Sequence, residues 1–179
     1  MSIYSEAYQK HMNLKLAASE IGIPWQTLYV YLKREGIAVT GDKLKYGSDR
    51  DRLAAMAETK FLELVPHAKP MNAIKWQSKY DFEAGFQKVD VKAAKPHQPN
   101  KRYPGKCWSF SLKKQSLICD FIVCFCFEDD GKLAHCILVP SEFFSGLQTV
   151  SVSCSGYSKW LDYKVDASTL ADFFSSIEH

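Results

Sequence analysis

The 179-residue sequence predicts an α+β protein, in which a short helical region precedes a mixed β-sheet flanked by helices. Apolar residues recur at helical spacing through the first forty residues and alternate with polar residues in several later segments. Hydrophobic residues make up 46% of the chain, which is enough to build a core and excludes wholesale disorder.

Composition also predicts the environment of the chain. No apolar run approaches the ~18 residues of a membrane span, and the start MSIYSEAYQKH lacks a basic and then apolar leader. The six cysteines include no Cys-x-x-Cys pair, which favours reduced thiols over disulfides. We therefore expect a cytoplasmic protein that does not associate with membranes.

The net charge of +3 is unevenly distributed. Residues 91–119 carry seven basic and no acidic side chains, and the segment that follows them is acidic. A local basic block of this kind indicates a polyanion partner. A solvated loop whose lysines serve solubility explains the same charges.

Three short helices are expected within residues 1–40. Asn13 suits the start of the second helix, Gly22 its end, and Pro24 the first turn of the third. Residues 41–47 form the expected linker. Ser48 and Asp51 then have the spacing of a capping box, which predicts a new helix that stops before Pro66.

Strands are expected after that helix. KYDFEA and KVDVKAA alternate around a Gly85-Phe86-Gln87 hairpin, and Asp-Asp-Gly separates DFIVCFCF from KLAHCILV. Further strands are expected at Trp108 to Leu112 and at Thr149–Ser153. A closing helix is expected over residues 167–177.

The segment LKLAASEIGIPWQTLYVYLKREGI resembles the helix-turn-helix of bacterial DNA-binding proteins. Ala18 supplies the small residue four positions before the turn glycine, Gly22, and Leu28 the apolar residue six positions after it. The resemblance implies that the second helix of the motif enters the major groove of DNA. The DNA-contacting residues would be Trp25, Gln26, Tyr29 and Lys33. A three-helix packing module without a DNA role is the alternative.

Two carboxylates and a lysine lie on the predicted hairpin. Asp81 is on its first strand, and alternation places Asp90 and Lys92 on one face of its second strand. Two converging carboxylates form an oxygen-rich site suited to Mg²⁺, and an adjacent ammonium can orient a water molecule. The alternative is a surface salt-bridge ladder.

This arrangement resembles the PD-(D/E)XK nucleases, which have a restriction-endonuclease-like fold. The resemblance makes Asp81, Asp90, Lys92 and Glu58 the catalytic residues, with Glu63 as a substitute for Glu58. The metal ligands would be Asp81, Asp90, Glu58 and the Val91 carbonyl. The nuclease-like domain would span residues 48–179, and the WSF and DFIVCF segments would be later core strands. The family's proline before the first Asp is absent here.

The resemblance implies a Mg²⁺-dependent endonuclease of double-stranded DNA, of the homing or restriction type, encoded by a bacterium or phage. Mn²⁺ would be a substitute for Mg²⁺, and no nucleotide cofactor is expected because no phosphate-binding glycine loop is present. A homodimer would cut both strands. Within the basic block, four residues would contact phosphates at the mouth of the site: Lys95, Lys101, Arg102 and Lys106. The alternatives are a non-catalytic DNA-binding regulator that keeps a nuclease-like fold, and a junction-resolving nuclease.

Overall fold

The structure is a computed structural model that describes residues 2–39, 46–74, 78–99, 102, 104–112 and 118–177. The chain divides into two compact units. The first comprises Met1–Met56 and Lys69–Ser78, and the second comprises Ala57–Ala68 and Lys79–His179. Most of the expected linker lies outside the described residues, and the expected domain boundary at residue 48 stays a prediction.

The first unit begins with three helices, as expected: α1 (Ile3–His11), α2 (Leu14–Glu20) and α3 (Trp25–Arg34). The side chain of Asn13 caps α2 by accepting a hydrogen bond from the Leu16 amide at 3.0 Å. Gly22 follows α2 with a φ of +70°, a backbone conformation that favours glycine. The core between the three helices consists of Ala7, Tyr8, Leu14, Ala17, Ala18, Leu28 and Leu32.

Helix α4 (Asp49–Leu64) begins at the expected capping box. The Ser48 hydroxyl accepts a hydrogen bond from the Asp51 amide at 3.2 Å, and the Ser48 amide donates to the Asp51 carboxylate at 3.0 Å. The helix ends before Pro66, as expected, because proline cannot continue the hydrogen-bond ladder. Two short elements follow, β1 (Lys69–Pro70) and α5 (Met71–Ile74).

The second unit contains a mixed, mostly antiparallel sheet. Its strands are β2 (Phe82–Ala84), β3 (Gln87–Ala94), β5 (Phe121–Phe127), β6 (Leu133–Pro140) and β8 (Lys164–Val165), in the order β2-β3-β5-β6-β8. β3 and β5 are parallel, and the other neighbours are antiparallel. The α+β class expected from the sequence is therefore confirmed.

The β2–β3 hairpin has a two-residue turn. Gly85 and Phe86 both have positive φ angles, of 57° and 60°, which match the twist of a tight hairpin. The first strand is shorter than expected, because regular pairing starts at Phe82, opposite Val89. The turn therefore fixes the register that sets which side chains face each other across the hairpin.

Two strands form a separate sheet, β4 (Cys107–Ser111) with β7 (Thr149–Ser153). The WSF segment belongs to β4, so the expectation that it joins the central sheet as a core strand is wrong. Trp108 and Phe110 instead pack with Ile122 and Cys124 of β5 in one buried cluster. The separate sheet covers this face because its apolar side chains, like those of β5, need burial.

Aromatic side chains cover the opposite face of the central sheet. Phe61 of α4 lies 4.8 Å from Phe82 and 5.9 Å from Phe174, measured between ring centroids. Phe174 belongs to the closing helix, α6 (Leu170–Ser176), which follows a 3-10 turn at Ala167–Thr169. β8 and the 3-10 helices at Ser141–Phe144 and Lys159–Tyr163 are not predicted by the periodicity. In the described parts of the chain, no helix has the length and apolarity needed to cross a bilayer.

Candidate functional site

The β2–β3 hairpin brings Asp81 close to Asp90. Regular antiparallel pairing ends at Phe82 and Val89, and Asp81 and Asp90 are the next residues along the two strands. The amide of Asp81 donates a hydrogen bond to the Val89 carbonyl at 3.0 Å, which holds Asp81 against β3 just beyond the last regular pair. The Asp81 carboxyl is close enough to Asp90 to raise the pKa of Asp90, so the two carboxylates converge as expected from the sequence.

Asp81 holds the backbone of β3 through its side chain. Its Oδ2 atom accepts a hydrogen bond from the Val91 amide at 2.8 Å. The N–H and C=O groups of one strand residue point to the same neighbouring strand. The Val91 carbonyl, which is the third predicted metal ligand, therefore points to the Asp81 side of β3, beyond the end of β2.

Asp90 and Lys92 share one face of β3, as alternation predicts. The Lys92 Nζ atom lies 2.5 Å from Oδ2 of Asp90, and the Asp90 side chain is 1% exposed. The Lys92 ammonium is the closest polar contact of this buried oxygen among the described residues. The contact is therefore a buried ion pair, in which the Lys92 ammonium offsets part of the cost of burying the Asp90 charge.

Burial raises the pKa of the Asp90 carboxyl to about 7, the Lys92 ammonium opposes this rise, and the Asp81 carboxyl adds to it. Desolvation and a second carboxylate both disfavour a buried negative charge. A cation at this position would relieve both effects. The pair therefore has the electrostatic character of a cation-binding site.

Two cysteines lie near the carboxylates. Burial raises the pKa of the Cys119 thiol to about 12, and the nearby Asp90 carboxyl contributes to the rise. Burial also raises the pKa of Cys124, which is opposite Lys92 in the β3–β5 pairing, well above its ordinary value. Both thiols are therefore protonated at neutral pH, so they are neither nucleophiles nor ligands for a hard cation.

The donor set fits a hard divalent cation. Two carboxylates and a backbone carbonyl are oxygen ligands of the kind that Mg²⁺ prefers. Glu58 lies on α4, which packs on the Val89 face of the sheet through Phe61 and Phe82. Among the residues that the structure describes, no three His, Cys, Asp or Glu side chains form a group that could hold a metal. Asp81 and Asp90 come together, and the role of Glu58 stays a prediction.

The basic block contacts the acidic turn between β5 and β6. Lys95 Nζ donates to the Asp129 carbonyl at 3.1 Å, and Lys106 Nζ lies 3.5 Å from the Asp129 carboxylate. Arg102 is exposed, and Lys101 lies outside the described residues. These contacts join residues 34 and 23 positions apart, so no local sequence signal identifies Asp129 as their partner.

Helix α3 presents three of the predicted DNA-contacting side chains on its outer side, whereas the fourth, Tyr29, packs partly against the core of the three helices. Trp25 and Gln26 are exposed, and Tyr29 and Lys33 are half-buried. Lys33 Nζ lies 5.8 Å from the centre of the Tyr29 ring, within the range of a cation–π contact. The opposite side of the helix buries Leu28 and Leu32. Val30, which the sequence places between these residues, is 46% exposed on the outer side.

The chain matches no protein-family model and no curated protein.

Proposed function

We propose that the protein is a Mg²⁺-dependent endonuclease that hydrolyses phosphodiester bonds in double-stranded DNA. The observation that carries this proposal is the convergence of Asp81, Asp90 and Lys92 at the open end of the β2–β3 hairpin. The nuclease-like fold, the bound ion and the DNA substrate are all parts of the proposal.

The proposed chemistry follows from the position of each group. Asp81, Asp90 and the Val91 carbonyl would hold the divalent ion, which supplies an acidified water and neutralises charge on the phosphate. Lys92 is 20% exposed at its side chain, so its ammonium can leave the ion pair and orient a water against the phosphate. The Asp90 carboxylate would exchange its contact with the Lys92 ammonium for a contact with the ion.

DNA binding would come from both units. The outer side of α3 would contact the major groove, and Lys95, Arg102 and Lys106 would contact phosphates near the carboxylates. One site cuts one strand, so we expect two copies of the chain to act together on a duplex. Sedimentation of the protein with and without a duplex tests the dimer.

Plasmid cleavage tests the enzymatic proposal. Wild type should convert supercoiled plasmid to nicked and linear forms with Mg²⁺ or Mn²⁺ and not with EDTA. Lys92→Ala should lower the rate by about 100-fold or more, in the range seen when one electrostatic stabiliser is removed. It should leave DNA affinity in Ca²⁺ unchanged, because Lys92 is needed for hydrolysis and not for binding.

Lys88→Ala is the matched control, since Lys88 is an exposed lysine on the same strand. It should cleave at the wild-type rate. A wild type that binds duplex DNA and never cuts it with either ion would refute the enzyme and favour the DNA-binding regulator. Preferential cutting of a four-way junction over linear duplex would instead favour a junction-resolving nuclease.

A further inference from the structure

We propose that α3 recognises A·T base pairs in the major groove, with Gln26 on adenine and Val30 on the thymine methyl group. This inference rests on the proposed DNA binding and names the sequence feature that the helix selects. It assigns to Val30 a role in choosing the base sequence, a role that the spacing of the helix-turn-helix motif alone does not indicate.

Gln26 and Val30 lie one helical turn apart on the outer side of α3. Residues at i and i+4 are neighbours on a helix surface, with Cβ atoms about 5–6 Å apart. Val30 is 46% exposed, whereas Leu28 and Leu32 on the inner side are fully buried. The two outer side chains can therefore reach the same base pair or adjacent ones.

The surroundings of this face suit a polyanion. No acidic residue lies between Ile21 and Arg34, and Lys33 and Arg34 occupy the last turn of α3. The glutamates that flank the segment are held by other residues of the first unit.

Glu20 is bound by Lys10, at 2.7 Å, and by His11. Glu35 accepts a hydrogen bond from the Ser2 hydroxyl at 2.7 Å. These contacts hold both carboxylates against α1 or its N-cap. Phosphates can therefore approach the outer side of α3 without either carboxylate having to move first.

The chemistry of the two side chains selects the bases. In the major groove, the side-chain amide of Gln can form two hydrogen bonds with adenine, and only thymine carries a methyl group. Val30 has no polar atom, so it gains from contact with that methyl group and would leave the polar edges of guanine or cytosine unsatisfied.

Selection of bound duplexes from a randomised pool tests the inference. The full chain is used in EDTA, so that binding is measured without cleavage. The selected duplex is then remade with deoxyuridine in place of each thymine, which removes only the methyl group. One such substitution should weaken wild-type binding about fourfold, the factor that corresponds to one buried methyl group.

Val30→Ala should show a smaller loss on deoxyuridine substitution than wild type, because its shorter side chain buries less of the thymine methyl group, and Gln26→Ala should lose the preference for adenine. Ile3→Ala is the control, since Ile3 is an exposed branched apolar residue on α1. It should retain the wild-type response to deoxyuridine.

Three results would overturn the inference. Binding without A·T preference, or without loss on deoxyuridine substitution, refutes base recognition by Gln26 and Val30 and leaves the proposed endonuclease intact. No binding to any duplex refutes both proposals. Self-association that Val30→Ala abolishes, with no effect of that substitution on DNA binding, would make this face a contact between copies of the chain.

Discussion

The buried carboxyl of Asp90 should make the stability of this protein depend on pH. In the folded chain burial raises the pKa of Asp90 from an ordinary 3.8 to about 7. Between these values the folded state keeps a proton on Asp90 that the unfolded state has lost. The free energy of unfolding therefore falls as pH rises from about 4 to about 7, and it stays low above pH 7. Asp90→Asn removes this contribution.

The magnitude follows from the shift. One pKa unit corresponds to about 1.36 kcal/mol. Of the rise in the Asp90 pKa, the part that falls between pH 5 and pH 8 runs from pH 5 to about pH 7, which is about two units. Going from pH 5 to pH 8, the unfolding free energy of Asp90→Asn should rise relative to wild type by about 3 kcal/mol. Urea unfolding of both proteins in EDTA at the two pH values measures this difference.

Asp162→Asn provides the control, because Asp162 is exposed in the 3-10 helix after β7. Its unfolding free energy relative to wild type should be nearly the same at pH 5 and pH 8. If Asp90→Asn gives the same flat response, Asp90 is not a buried carboxyl of raised pKa, and the electrostatic argument for a cation site fails.

Two further predictions concern the hairpin and the basic block. Gly85→Ala should lower the free energy of unfolding by about 3 kcal/mol or more, because a Cβ there would lie 2.2 Å from the Phe174 carbonyl at a φ of +57°. Gly146 has a φ of +77°, and a Cβ there would have no atom of the described residues within 4 Å. Gly146→Ala should therefore cost only about 1 kcal/mol by thermal or urea unfolding, and equal losses for the two variants would contradict the proposed clash. For binding to duplex DNA, Lys106→Ala should reduce the slope of the logarithm of the binding constant against the logarithm of the salt concentration by about 1, whereas Lys60→Ala should not change it. An unchanged slope for Lys106→Ala would show that Lys106 does not contact a phosphate.

The helices and most strands could be predicted because their signals are local. Asn13, Ser48 and the Gly85 turn act on residues within three or four positions, so their effects are visible in the sequence. The proximity of Asp81 to Asp90 was predictable for the same reason. A short hairpin and a period of two determine which side chains meet.

Other features depend on contacts that no short segment encodes. β4 pairs with β7, about forty residues later, so the periodicity of WSF predicts a strand without predicting its sheet. A strand pattern does not predict the burial of Asp90 either, and its electrostatic neighbours include Cys119 and Cys124, which come about thirty residues later in the chain. The Asp129 contacts with Lys95 and Lys106 are likewise long-range.

Binding of Mn²⁺ to the full chain, measured by electron paramagnetic resonance, tests the central proposal most directly. Wild type should bind one ion per chain in the presence of a duplex, Lys92→Ala should also bind it, and Asp81→Asn and Asp90→Asn should not. Failure of wild type to bind the ion, or equal binding by Asp90→Asn, would contradict a divalent-ion site built on these two carboxylates.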